Sequence, residues 1–123
     1  MPDSTYWQQI ADHARAENRP FFSLAPMEAV TNAIFRRVVA RAAAPDVFFT
    51  EFTNAISITH PKAKFTVAGR LYVAPEEAHM PVAQLWGNDG EAFARAAVAV
   101  KDLGYEAIDI NMGCPDSTVI KNH

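Results

Sequence analysis

Four short apolar runs, each separated from the next by a helical stretch or a long connection, limit what this chain can fold into. They occupy residues 21–25, 47–50, 82–86 and 107–110. Each is too short for a helix and apolar almost throughout, the pattern of a strand buried on both faces. Neighbouring strands joined by long crossovers pair in parallel, since a tight hairpin is what returns a chain antiparallel. The chain therefore reads as α/β.

The segments between the runs carry a different period. Tyr6, Ile10 and Ala14 recur at helical spacing over residues 6–17, with Thr5 and Gln8 placed as a capping box. Thr31 or Asn32 can cap a second helix on which Phe35, Val38, Val39 and Ala42 share a face, ended by Ala44-Pro45-Asp46. Asn88 with Glu91 begins a third, whose apolar face is Phe93, Ala96, Ala97, Val100 and Leu103, and Gly104 stops it. Residues 59–80, with their Pro, Lys and Gly, are expected to form a loop with one weak strand near 70–73, inserted over one end of the fold.

Two α/β architectures compete. An open doubly wound sheet usually carries a glycine-rich phosphate loop after its first strand, and none follows residues 21–25. A (β/α)8 barrel places its active site at the carboxyl ends of the strands. Distinctive polar residues stand at those positions: Met27-Glu28, Glu51 with Asn54, Gln84 within the third run, and Asn111 with Cys114. The expected fold is a partial (β/α)8 TIM barrel of about four βα units over residues 20–123, preceded by an amino-terminal helix over 1–19. A whole barrel takes about 250 residues, and this chain has 123.

Composition narrows the function. Half the residues are apolar, enough for a real core. No apolar run approaches the roughly 18 residues of a membrane helix. Met1-Pro2-Asp3-Ser4-Thr5 lacks a basic stretch leading into an apolar one, and the lone Cys114 cannot form an internal disulfide, so the cytoplasm is the expected compartment. His13, His60, His79 and His123 share no ligand spacing, and no metal is expected. The net charge of -3, with its signs interspersed, argues against this segment alone being a strong phosphate-binding surface.

Five motifs in order, Ala25-Pro26-Met27-Glu28-Ala29-Val30-Thr31, Phe35-Arg36, Thr50-Glu51-Phe52, Val82-Ala83-Gln84-Leu85-Trp86-Gly87 and Asp109-Ile110-Asn111-Met112-Gly113-Cys114-Pro115, resemble the tRNA-dihydrouridine synthases. The resemblance covers about residues 20 to 123 and departs from the usual pattern at Ala29 and Asn32, where many relatives carry Gly and Asp. It implies FMN at the barrel mouth, with Pro26, Met27 and Glu28 lining the flavin ring and Gln84 hydrogen-bonding its polar edge. It further implies NADPH as reductant, hydride passing from flavin N5 to uracil C6, Cys114 giving the proton to C5, and Asn111 pairing with the uracil edge. The partner is tRNA, its target base flipped out of the stack.

Other residues are open to two readings. Glu51 and Asn54 can reach a substrate pocket or orient the first loop. Arg36, Arg37 and Arg41 form a basic helix face for which solvated charge is the default, with tRNA contact as the alternative. Trp7 and Trp86 read as packing residues. Two other functions compete: a flavin barrel acting on free pyrimidines, such as a dihydroorotate or dihydropyrimidine dehydrogenase with its similar Asn-x-Ser-Cys-Pro segment, and a truncated product without activity. Gly113 in place of that Ser, and the Ala-Pro-Met-Glu opening, favour the tRNA enzyme.

Overall fold

The structure is a computed structural model that describes residues 5–113. It begins with helix α1 (Tyr6–Ala16), where the Thr5 hydroxyl accepts from Gln8 N. Asn18 takes a left-handed φ of 51° just past its end, and Arg19 N closes back on the Ala14 carbonyl. Asn tolerates that region well, so the helix stops without needing glycine.

Arg19 then donates through both terminal nitrogens to the Asp46 carboxylate, each at 2.8 Å, and Phe22 N donates to the same group at 2.8 Å. The Arg19 guanidinium first, and then the Phe22 amide, hold the Asp46 carboxyl well below the usual carboxylate range. This joint docks β1 (Ser23–Leu24) beside β2 (Val47–Phe48) in parallel, Ser23 opposite Val47 and Leu24 opposite Phe48. The first strand is an edge: Phe21 and Phe22 are 53% and 59% exposed, against the expectation of a run buried on both faces.

Beyond β2 the sheet continues in chain order. A parallel bridge links Phe49 to Val82, and β3 (Thr53–Asn54), β4 (Ala83–Trp86) and β5 (Ile108–Ile110) pair in parallel. The strand expected over residues 47–50 is thus shortened to Val47–Phe48, and β3 is a further short strand just past it, where the sequence places only polar residues beyond the strand's end. The result is a mixed α/β architecture of parallel strands, consistent with part of a TIM-barrel-type domain. The described residues do not close a barrel.

The main core lies between β4 and the helices that follow the strands. On α3 (Ala55–Ile58), α4 (Lys64–Arg70) and α5 (Gly90–Asp102), Ala55, Val67, Ala92, Ala96 and Val100 pack with Ala83 and Leu85. Each fully buried Val or Leu here contributes about 1.5–3 kcal/mol of transfer free energy. A second cluster, Val47, Val82 and Ala107, receives Tyr6 and Ile10 of α1, so that helix seals the amino-terminal ends of the strands. Trp7 is 44% exposed and meets Tyr6 edge-on at 5.2 Å, a peripheral contact rather than a core one.

Three expectations need correcting. Residues 64–70 are helical and no strand forms near 70–73. His60 Nδ1 accepts from Lys62 N to start a 3-10 turn over Pro61–Ala63, and Val67 and Leu71, four apart, both turn inward. The caps are also more specific than the sequence allowed: Asn32 caps α2 (Ala33–Ala43) through Phe35 N at 3.0 Å, and Asp89, not Asn88, caps α5.

Arg36 is the third. Only 1% of its side chain is exposed, so it does not belong to a solvated face. Its guanidinium donates to both oxygens of Glu77 at 2.7 and 2.9 Å, to Thr31 O at 2.8 Å and to Tyr72 O at 2.9 Å. A buried guanidinium is tolerable only when paired and hydrogen-bonded in this way. On α2 the expected apolar stripe is only partly covered, with Phe35 and Val39 half-buried and Val38 59% exposed.

Candidate active site at the carboxyl ends of the strands

Side chains alternate across a strand, so a face can be assigned from its neighbours. Ala83 and Leu85 pack toward the helices, and Ile108 joins them from β5. Gln84 and Asp109 therefore point to the opposite face, and the register makes them direct partners. Gln84 Nε2 donates to Asp109 Oδ2 at 2.5 Å. Asn111, two residues past Asp109, donates from Nδ2 to Gln84 Oε1 at 3.3 Å. Its Oδ1 accepts from Gly113 N at 3.1 Å, and its own N donates to Leu85 O at 2.8 Å.

Gln84 is 6% exposed, and a buried amide is costly unless its hydrogen bonds are made. Asp109 fixes which way that amide faces, because only the NH2 end can donate to a carboxylate. Asp109 was part of a recognised motif but not read as a site residue; its place two positions before Asn111 on a strand was the available signal.

The first loop is set by residues on either side of it. Thr31, fully buried, accepts from Met27 N and donates to Met27 O through one hydroxyl, both at 3.0 Å. Ala29 has φ 57°, and its N donates to Glu51 Oε2 at 2.7 Å. Of the two readings of Glu51, the geometry favours contact with the first loop. Pro26 is half-buried, whereas Met27 and Glu28 are exposed. Glu28 pairs with Arg70 at 2.5 Å, and Arg70 also donates to Phe52 O at 2.9 Å. Arg70 escaped the sequence reading because its segment was read as a strand.

The expected site residues thus fall into two groups. Gln84 and Asn111 touch each other, while Pro26, Met27 and Glu28 share the first loop. Thr50 and Glu51 connect the groups: Thr50 Oγ1 accepts from Gln84 N at 3.2 Å and donates to Glu51 O at 2.9 Å. Cys114 lies outside the described residues. A cleft of about 490 Å³ runs beside the first loop, lined by Glu28, Phe52, Asn54, Thr66, Arg70 and Trp86 among others. Of the expected contacts it includes Glu28 alone. Asn54 is occupied as the cap of α3, accepting from Ile56 N and Ser57 N.

The residues present suit a flavin. The backbone polar groups of Met27 are already satisfied by Thr31, so its exposed side chain and Pro26 offer an apolar surface. Of the two amide hydrogens of Gln84, Asp109 takes one, which leaves a fixed donor for a ring heteroatom. Among the described residues no helix is long and apolar enough to cross a membrane.

Parallel strands with a buried polar cluster toward their carboxyl ends define an α/β protein whose candidate site lies on the face where α/β barrels carry theirs. The dihydrouridine synthase (Dus) family model matches residues 23–123, and the chain belongs to that family. It is 52% identical over 103 residues to a "Probable tRNA-dihydrouridine synthase" of Staphylococcus epidermidis (strain ATCC 12228 / FDA PCI 1200), covering 84% of this chain and 31% of that protein. It is 50% identical over 117 residues to "Probable tRNA-dihydrouridine synthase 2" of Bacillus subtilis (strain 168), covering 95% of this chain and 34% of that one. The chain thus spans about a third of the length of the curated relatives it matches. No solved structure matches it.

Proposed function

We propose that this chain is the amino-terminal part of the catalytic domain of a tRNA-dihydrouridine synthase, about the first four βα units of a (β/α)8 barrel. The activity is FMN-dependent, NADPH-linked reduction of the C5–C6 bond of uridine in tRNA. The observation that carries this reading is the hydrogen bond from Asn111 to Gln84 at the strand ends, within a chain of this family. When bound, FMN supplies the hydride that the reduction requires, drawn from NADPH.

The chain's own residues hold and orient. Pro26, Met27 and Glu28 would line the flavin ring, and Gln84, its amide oriented by Asp109, would hydrogen-bond the ring's polar edge. Asn111 keeps one amide hydrogen and one lone pair beyond its bonds to Gln84 and Gly113, a complementary pair for the uracil edge. Cys114 is the proton donor to C5: a thiol with an ordinary pKa of about 8.5 is mostly protonated near neutrality and can act as a general acid. The base reaches these groups flipped out of the tRNA stack.

The test compares substrates. Protein carrying the whole catalytic domain, loaded with FMN and supplied with NADPH, is expected to form dihydrouridine in unmodified tRNA and to leave free uracil and dihydroorotate unchanged. Comparable turnover of free pyrimidines would transfer the assignment to the dihydroorotate or dihydropyrimidine dehydrogenase class.

A further inference from the structure

Resting on that reading of the site, we infer that Glu51 is a positioning residue for the flavin, acting through the backbone of the first loop. Its carboxylate sets the conformation of Ala29, and with it the surface that Pro26, Met27 and Glu28 present. Glu51 is 8% exposed, and its Oε2 accepts from Ala29 N at 2.7 Å. Ala29 sits at φ 57°, a left-handed conformation that its Cβ disfavours. A loop of this shape built on alanine needs something to hold it there, and a charge-assisted hydrogen bond donated by its N–H to a buried carboxylate is a strong constraint.

The same residue is tied to the other half of the site. Thr50 Oγ1 donates to Glu51 O at 2.9 Å while accepting from Gln84 N at 3.2 Å. One buried dipeptide therefore registers the first loop against the strand that carries Gln84. Glu51 has no hydrogen bond to the Gln84 or Asn111 side chains among the described residues, and its tie to the first loop runs through Ala29 N.

The experiment uses the holoenzyme and three variants: Glu51→Gln, Glu51→Ala, and Glu51→Ala combined with Ala29→Gly. Two quantities are read: hydrogen exchange of residues 27–31 in the FMN-free protein, and FMN affinity together with the flavin absorbance spectrum. Losing a hydrogen bond to a charged group is expected to raise loop exchange about 10-fold or more in Glu51→Ala. FMN affinity should fall by about as much, with a shifted spectrum. Adding Ala29→Gly should recover most of that affinity, because glycine adopts the left-handed conformation without strain. Glu51→Gln keeps an acceptor oxygen, should fall between wild type and Glu51→Ala, and carries the test if Glu51→Ala does not fold. Wild-type exchange in both single variants would overturn the inference. So would faster exchange with unchanged FMN affinity and spectrum. A wild-type protein that binds no FMN would instead overturn the functional reading beneath it, while its loop exchange still reports on Glu51.

Discussion

The Gln84 side chain stands between two partners, accepting from Asn111 Nδ2 at 3.3 Å although 27 residues separate them in sequence, and giving its own amide to Asp109 at 2.5 Å. Replacing Gln84 by Glu would place two carboxylates in contact on a buried face. The expected destabilisation at pH 7 is about 1–3 kcal/mol, since a buried group loses its partner and gains a like charge. Repulsion raises the pKa of one member of such a pair, so stability should recover as pH falls and that carboxyl takes up a proton. Urea midpoints of Gln84→Glu between pH 7 and 5 measure this; a midpoint equal to wild type at pH 7 would contradict the contact.

Arg36→Met would leave Glu77 buried without its cation. Breaking one side of a buried ion pair costs about 3–5 kcal/mol, and Glu77 has only 6% of its side chain exposed. The double variant Arg36→Met with Glu77→Gln should regain part of that loss. Thermal melts of both variants check it, and a melting temperature for Arg36→Met within a degree or two of wild type would show that the charge is not buried in solution.

The joint of Arg19, Phe22 and Asp46 gives a pH signature. The Asp46 pKa is lowered in the folded state, chiefly by Arg19. Its contribution is therefore fully present above the unfolded carboxyl pKa of about 3.9 and is lost as pH falls below it. Asp46→Asn should be less stable than wild type at pH 7, and the gap should shrink as pH falls below about 4. A gap independent of pH would remove the ion pair from the account.

The 123-residue chain expressed alone should associate and hold FMN weakly. Phe21, Phe22, Ile110 and Met112 are all at least half-exposed beside or beyond the parallel strands, and exposed apolar surface next to unpaired strand edges favours self-association. Size-exclusion chromatography and flavin absorbance measure both. A monodisperse monomer with stoichiometric FMN would contradict this.

What the sequence revealed, and what it withheld, follows from where the information sits. The strand that carries Gln84 was legible because residues 82–86 are apolar around one glutamine, and α5 because its alanines and valines keep a helical period. The interior position of Arg36 was not legible. An arginine among arginines on a helix reads as surface, and its partner Glu77 lies 41 residues away in a segment with no clear period. The helix at residues 64–70 was hidden for a related reason: Phe65 is 90% exposed, so apolar content there does not mark the buried face. The bond from Ala29 to Glu51 was foreshadowed only as one of two roles for Glu51. A single non-glycine residue with positive φ leaves no trace in composition.

The central claim is that the residue following Gly113 supplies the proton while Gln84 and the first loop serve the flavin. The most direct measurement is made on Cys114→Ala in protein carrying the whole domain, following FMN content, flavin reduction by NADPH, and dihydrouridine formation in tRNA. FMN content and flavin reduction should remain near wild type, while dihydrouridine formation drops about 100-fold or more, the scale of losing a general acid. Near-normal dihydrouridine formation by Cys114→Ala would contradict the account.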